Sequence, residues 1–210
     1  LASIAFSGAA DAKDFKAGSK VRIATEGAYA PWNFTDSSGK LAGFEVDLYA
    51  DLCERMSVQC DLVQTAWEGI IPALQAGKFD AIMAGMSITD KRKKVITFSR
   101  SYMGSPASFV VLKASPLASL SAGLDALTLA SVDAKEKAGL DSMKAALKGK
   151  TIGVQISTTH ENFLNEYMGD TVTVKTYDTQ ENLDLDLVAG RIDAALASLS
   201  YWVPLLEGEK

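Results

Sequence analysis

Leu74-Gln-Ala-Gly-Lys-Phe-Asp-Ala-Ile-Met-Ala84 is matched later in the chain by Leu187-Val-Ala-Gly-Arg-Ile-Asp-Ala-Ala-Leu-Ala197. Both stretches read as a helix end, a glycine at the C′ position, a basic residue and a short apolar strand. Their separation is too long for a solenoid repeat, so the match predicts two similar α/β lobes, each ending this unit at a cleft. Chance or a common helix-to-strand turn could produce part of the match. Agreement over the whole stretch favours two lobes.

The first copy runs on into Gly85-Met86-Ser87-Ile88-Thr89-Asp90-Lys91-Arg92. Phe79 to Met83 is expected as a buried strand. Ala84 and Gly85 are small enough to let a ligand approach the backbone, with Met86 beside them. Ser87 offers a hydroxyl, Thr89-Asp90 a helix N-cap, and Arg92 a fork that holds a carboxylate through two parallel bonds. The pattern describes a carboxylate receptor at the end of a strand. An ordinary strand–loop–helix with a surface arginine fits the same residues. The second copy delivers Ser198 to the kind of edge where Ala84 sits.

The chain has 210 residues, enough for one large or two small domains, and is 48% hydrophobic and 22% charged. Its net charge of −5, without a long basic run, argues against nucleic-acid binding. No apolar stretch is long enough to span a membrane. Cys53, Cys60 and the single His160 are too few and too scattered for a zinc site, and no metal or other cofactor is expected. There is no Gly-rich nucleotide loop, no Gly-x-Ser-x-Gly and no His-Glu-x-x-His.

Residues 1–12 are small and apolar and end in Ala10-Asp11-Ala12, an Ala-x-Ala cleavage pattern. Residues 1–19 are therefore read as a signal-peptide remnant or N-terminal tail. Val21–Thr25 is expected as the first strand, and Glu26 to Phe34 as a loop carrying Glu26 and Tyr29. Phe44, Leu48, Leu52 and Met56 recur at helical spacing and predict a core-facing helix. Val58, Cys60 and Leu62 alternate as the second strand. The helix-to-strand reversal can bring Cys53 within reach of Cys60. In an exported protein a bridge is expected, with two reduced core cysteines as the alternative.

Trp67 to Ala76 is expected as a short helix. Val95–Phe98 and Ser108–Leu112 are expected as strands. Tyr102-Met-Gly-Ser-Pro106 between them is a natural crossover. The Ala-, Ser-, Leu- and Lys-rich segment 114–149 includes an amphipathic helix, Asp133 to Leu147, expected to add a surface element to the second lobe. Thr151–Gln155 is the first strand of that lobe. Ser157-Thr158-Thr159-His160-Glu161 opens the next helix with a capping-box pattern, Thr158-x-x-Glu161. Hydroxyls and amides at a helix start suit an anion, though a plain capped helix with an exposed His160 fits as well.

Taken together, several motifs mark a resemblance: Gly-Ala-Tyr-Ala-Pro-Trp-Asn-Phe (27–34), Leu-Ala-Gly-Phe-Glu-Val-Asp-Leu (41–48), Trp-Glu-Gly-Ile-Ile-Pro-Ala-Leu (67–74), Met-Ser-Ile-Thr-Asp-Lys-Arg (86–92) and Gly-Val-Gln-Ile-Ser-Thr-Thr-His-Glu (153–161). From about residue 20 onward the chain resembles the periplasmic solute-binding proteins of bacterial ABC importers, in the polar amino-acid group. Within that group it looks most like the members that bind octopine and nopaline, opines with an arginine moiety. The resemblance implies the type II two-lobed α/β fold, closing on one ligand in a cleft. Lobe 1 is expected over 20–103, a crossover at 104–107 and lobe 2 over 108–210. Family members continue beyond the position of Lys210, so lobe 2 is expected to be incomplete and the chain to be a fragment.

The resemblance also implies roles. Glu26 is the acidic partner of a guanidinium, flanked by Tyr29 and Trp67. Arg92, Ser87 and the Thr159 amide hold an α-carboxylate against the Ala84-Gly85-Met86 backbone. His160 and the helix start at Thr158 receive a second carboxylate. Ser198 stands where basic amino-acid binders place an aspartate for the free α-ammonium. A small neutral serine leaves room for the carboxylate-bearing arm on an opine's secondary amine. The implied partners are a small ligand and an inner-membrane permease, with the protein a periplasmic monomer. A basic amino-acid receptor is the alternative. A dehydratase on the same fold, with Glu26 as acid/base, is the enzymatic one, but no nucleophile–base pair accompanies it.

Overall fold

The structure is a computed structural model. It describes residues 15–121, 123, 126–127 and 133–208. Two compact units divide the chain between Gly104 and Ser105.

The first unit is built on β1 (Lys20–Thr25), β2 (Ala28–Tyr29), β3 (Asn33–Thr35), β4 (Leu41–Ala42), α1 (Phe44–Arg55), β5 (Gln59–Gln64), α2 (Ile70–Gln75), β6 (Ala81–Ile82) and α3 (Asp90–Lys93). Its main sheet is parallel, in the order β5-β1-β6. Val21, Ile23 and Cys53 pack on one side of it, and Ala24, Trp67, Ile70, Phe79 and Ala84 form a second cluster. The segment expected as a plain loop after β1 instead folds into a small antiparallel sheet, β2-β3-β4.

The second unit contains β7 (Ala107–Val110), a 3-10 turn (Pro116–Ser119), α4 (Ala134–Leu147), β8 (Thr151–Gln155), α5 (Thr159–Tyr167), β9 (Thr173–Tyr177), α6 (Gln180–Val188), β10 (Ala194–Ser198) and α7 (Leu199–Gly208). Its sheet order is β7-β10-β8-β9, parallel except for β7. Ile152, Val154, Leu164, Met168, Ala194 and Leu196 make the core. The amphipathic helix expected after Asp133 is α4. It starts at a complete Asp133/Glu136 capping box and buries Leu140 and Leu147 in that core.

The repeated Gly-basic-x-Asp sequence does one job in both units. In the first, the Asp80 amide donates to the Arg22 carbonyl (2.8 Å) and the Asp80 carboxylate accepts the Arg22 amide (3.0 Å). In the second, the Asp193 amide donates to the Thr151 carbonyl (2.8 Å) and its carboxylate accepts the Thr151 amide (2.8 Å). Each aspartate thereby pins the incoming strand to its parallel neighbour and fixes where that strand begins.

Several elements depart from expectation. The strand foreseen at Phe79–Met83 narrows to Ala81–Ile82, because Asp80 is committed to Arg22 and Phe79 turns into the second cluster. Val95–Phe98 is not a strand. The Val95 and Ile96 amides both return to the Arg92 carbonyl, winding the chain on past α3. The Trp67 helix begins only at Ile70, after left-handed Gly69, which leaves Pro72 in the first turn where it is tolerated. On α1 the expected core stripe is wrong by one position. Phe44, Leu52 and Met56 are exposed, while Glu45 and Cys53 are buried with Tyr49 packed between them. Of the two cysteine alternatives the structure has the bridge: Cys53 and Cys60 are disulfide-bonded, with Cα atoms 6.1 Å apart. Most of the expected signal-peptide remnant, residues 1–14, lies outside the described residues.

Candidate functional site

Parallel strands bring their carboxyl ends to one sheet edge, and loops leaving that edge are free to diverge around a ligand. In the first unit β1 delivers Glu26 there and β6 delivers Ala84 and Gly85. Glu26 is buried, and its carbonyl accepts the Gln64 side-chain amide (3.2 Å). Tyr29 ends β2, half-buried, paired with Asn33. Ala84 is buried, and Gly85 is left-handed (φ 58°). Met86 packs half-buried on the cluster of Trp67 and Ile70. Ser87 is exposed.

Arg92 is held from several directions. Thr89 caps α3 by accepting the Arg92 amide (3.2 Å), and Arg92 Nη1 donates to the Ser87 carbonyl (2.8 Å). The guanidinium lies over Trp67, 5.4 Å from the ring centroid. Burial pushes the guanidinium below the usual arginine range. A partly desolvated cation on an aromatic platform is a strong receptor for a carboxylate, since an anion restores what burial removed. Trp67 itself is buried, and its indole N–H has no hydrogen-bond partner among the described residues. One ring face expected to meet a ligand's guanidinium therefore carries the protein's own.

In the second unit the same edge is formed by β8 and β10, whose Val154 and Leu196 are register partners. Ser198 ends β10 half-buried, opposite Ala107 of β7. Thr158 is the buried N-cap of α5: it accepts the Glu161 amide (3.1 Å) and donates to the Gln155 carbonyl (2.7 Å). Glu161 reaches one residue further back than a capping box requires and accepts the Ser157 amide (2.6 Å). Ser157 adopts φ 60°, a left-handed conformation that non-glycine residues seldom hold outside constrained sites. Thr159 and His160 follow as the first, half-buried residues of the helix, whose amides face the edge.

The structure thus groups the expected residues into two sets, Glu26–Trp67–Arg92 with the 84–87 loop, and Thr158–His160 with Ser198. Sequence reasoning missed two residues. Gln155, buried at the end of β8, donates its side-chain amide to the Asp178 carbonyl (3.1 Å). Glu45 is buried under the 84–87 loop and accepts the Gly85 amide (2.7 Å). A signal for Glu45 existed: a helix whose Cys53 faces the sheet carries Tyr49 and Glu45 on that same face.

The family model of bacterial extracellular solute-binding proteins, family 3, matches residues 21–150. The chain belongs to that family. It is 46% identical over 187 residues to the octopine-binding periplasmic protein of Rhizobium meliloti, a match covering 89% of this chain and 64% of that protein. It is 39% identical over 184 residues to the L-arginine-binding protein of Pseudomonas aeruginosa, covering 87% and 62% respectively. The chain thus spans a little under two thirds of the length of these curated relatives. Among solved structures, an ancestral arginine-binding protein bound to arginine superposes with a TM-score of 0.73 at 32% identity, covering 90% of this chain and 74% of that one. The mixed α/β architecture is that of the two-lobed periplasmic binding proteins.

Proposed function

We propose that the protein is the periplasmic ligand-binding component of an ABC importer, and that its ligand is an opine carrying an arginine-like moiety. The observation that carries the reading is the partly desolvated Arg92 on its Trp67 platform beside the Gly85–Ser87 backbone. That arrangement suits an α-carboxylate. Glu26 is assigned to the ligand's guanidinium, with Tyr29 against its hydrocarbon. The α5 start at Thr158, Thr159 and His160 is assigned to the second carboxylate. Ser198 takes the secondary amine without demanding a free ammonium. The resemblance to an octopine-binding protein supports the same choice.

A basic amino-acid receptor is the second reading, supported by the arginine-binding relative. Both are receptors that return the ligand unchanged and act as monomers with a membrane permease. Parallel titrations of tryptophan fluorescence with octopine and with arginine decide between them. Octopine binding much tighter than arginine supports the opine reading. The reverse order moves the protein to the basic amino-acid receptors. Conversion of ligand during incubation, read by mass spectrometry, overturns both in favour of an enzyme.

A further inference from the structure

We propose that Glu45 is the positioning residue of the first unit's binding edge, holding the loop after β1 and the loop after β6 at a fixed separation. The inference rests on the ligand-binding reading above.

Glu45 lies in the first turn of α1 and is 2% exposed. Among the described residues its partners are neutral donors. Asn33 Nδ2 donates to Oε2 (2.6 Å), the Gly85 amide donates to Oε1 (2.7 Å), and the Tyr102 hydroxyl donates to Oε1. Asn33 is itself wholly buried, and its Oδ1 accepts the Gly27 amide (2.7 Å). A continuous chain of hydrogen bonds therefore runs Gly27–Asn33–Glu45–Gly85. It begins one residue after Glu26 and ends two residues before Ser87.

Two loops that share no backbone pairing are tied to one carboxylate. Filling this space with a carboxyl group and an amide is costly, and a hydrophobic pair of similar volume serves stability as well or better. The specific gain is geometric. Oε2 accepts from Asn33 and Oε1 from both Gly85 and Tyr102, so the separation of the loops is set to within hydrogen-bond tolerance. The helix start stabilises the negative end of the relay. Tyr102 closes it: burial and the adjacent Glu45 push its phenol well above the ordinary value, so it remains a donor. Gly27 itself holds φ 75°, a conformation that favours glycine, and a Cβ there would press on the ends of the Gln64 and Leu41 side chains at 2.6 Å.

The polarity of the relay supplies its own control. Glu45→Gln sets two amide NH2 groups against each other at position 33. Asn33→Asp combined with Glu45→Gln reverses that one bond and preserves the other three and the total charge. The experiment compares the full chain, the single variant and the double variant. In 1H–15N spectra without ligand, the Gly27 and Gly85 amide resonances are expected to move together in Glu45→Gln, and the hydrogen-exchange protection that both amides lose there is expected to return in the double variant. With octopine and arginine as probes, Kd is expected to rise at least about tenfold in Glu45→Gln, as for a buried hydrogen-bonded group left mispaired, and to recover to within about threefold in the double variant.

Gly85 shifting while Gly27 stays put overturns the relay. So does equal loss of affinity in both variants, or affinity that merely tracks thermal unfolding. If the wild-type protein ignores both probes, the ligand reading fails, and the two amide resonances alone still decide the role of Glu45. If Glu45→Gln does not fold, Tyr102→Phe, which removes one donor, takes its place with the same expected pairing of resonances.

Discussion

The roles proposed for Arg92 and Ser198 make different demands on a ligand. Arg92 is expected to be indispensable to any ligand with an α-carboxylate. Its Nη1 donates to the Ser87 carbonyl and its plane lies on Trp67, so the orientation of the guanidinium is set before a ligand arrives. Arg92→Ala is expected to weaken octopine and arginine alike by at least about thirtyfold, or about 2 kcal/mol, as for truncating one partner of a desolvated charge pair. Arg92→Lys keeps the charge but loses the fork and the flat stacking face, so it is expected to recover only part of that loss. Calorimetric titration of both variants checks this, and near-normal affinity in Arg92→Ala removes the residue from the site. Ser198→Asp is expected to act selectively. A carboxylate at the end of β10 offers a partner to a free α-ammonium and repels an opine's second carboxylate, so the ratio of octopine to arginine affinity should fall. An unchanged ratio contradicts the assignment of Ser198.

At the scale of the element, α1 is the instructive case. Its existence was legible from spacing, but its buried face was not. Phe44, Leu52 and Met56 are the more apolar set, yet the sheet receives Cys53, Tyr49 and Glu45. The disulfide to Cys60 on β5 makes the difference, because it fixes the rotation of the helix about its axis. Glu45 is carried inward by that rotation, and so the relay to Gly85 was invisible to an argument that sorted residues by polarity. The loop and capped helix at 84–93 were legible because small residues, a cap and an arginine fall in one unbroken stretch. Gln155 was not, since a buried glutamine at a strand end has no periodicity to mark it. The bridge closes a short loop, with a sequence separation of 7. Breaking it with Cys53→Ser and Cys60→Ser is expected to cost about 2–3 kcal/mol by loop closure. It should also free α1 to turn Glu45 away from Gly85. The measurement is urea unfolding together with ligand affinity. Loss of stability with affinity intact separates the bridge from the relay.

At the scale of the whole chain, the repeat that revealed two α/β units also marks an acid-sensitive group in the second. Asp80 and Asp193 occupy equivalent places, each donating its amide to, and accepting an amide with its carboxylate from, one residue of the neighbouring strand. The Thr151 amide, with Lys150 adding to it, holds the Asp193 carboxyl below the usual carboxylate range. Asp186 is lowered in the same way by Lys175 and Tyr177, and by the nearby charge of Arg191. Asp184 opposes them, since burial raises it against the Tyr201 and Gln180 donors. A carboxylate whose folded-state pKa is depressed contributes stability that is complete above its unfolded value, about 4, and is lost as pH falls through the folded value. The contribution of Asp193 and Asp186 should therefore be constant near neutrality and fall below about pH 4, where the unfolded chain takes up protons first. Asp193→Asn removes one such group while leaving an acceptor for the Thr151 amide. It is expected to lower stability at pH 7, to flatten the acid limb, and to bring the variant's curve towards the wild-type curve at the lowest pH. Urea midpoints followed by circular dichroism from pH 7 to pH 2 test this. Parallel curves, offset equally at every pH, would show that Asp193 acts by packing alone and that the repeated aspartate is not an electrostatic pin.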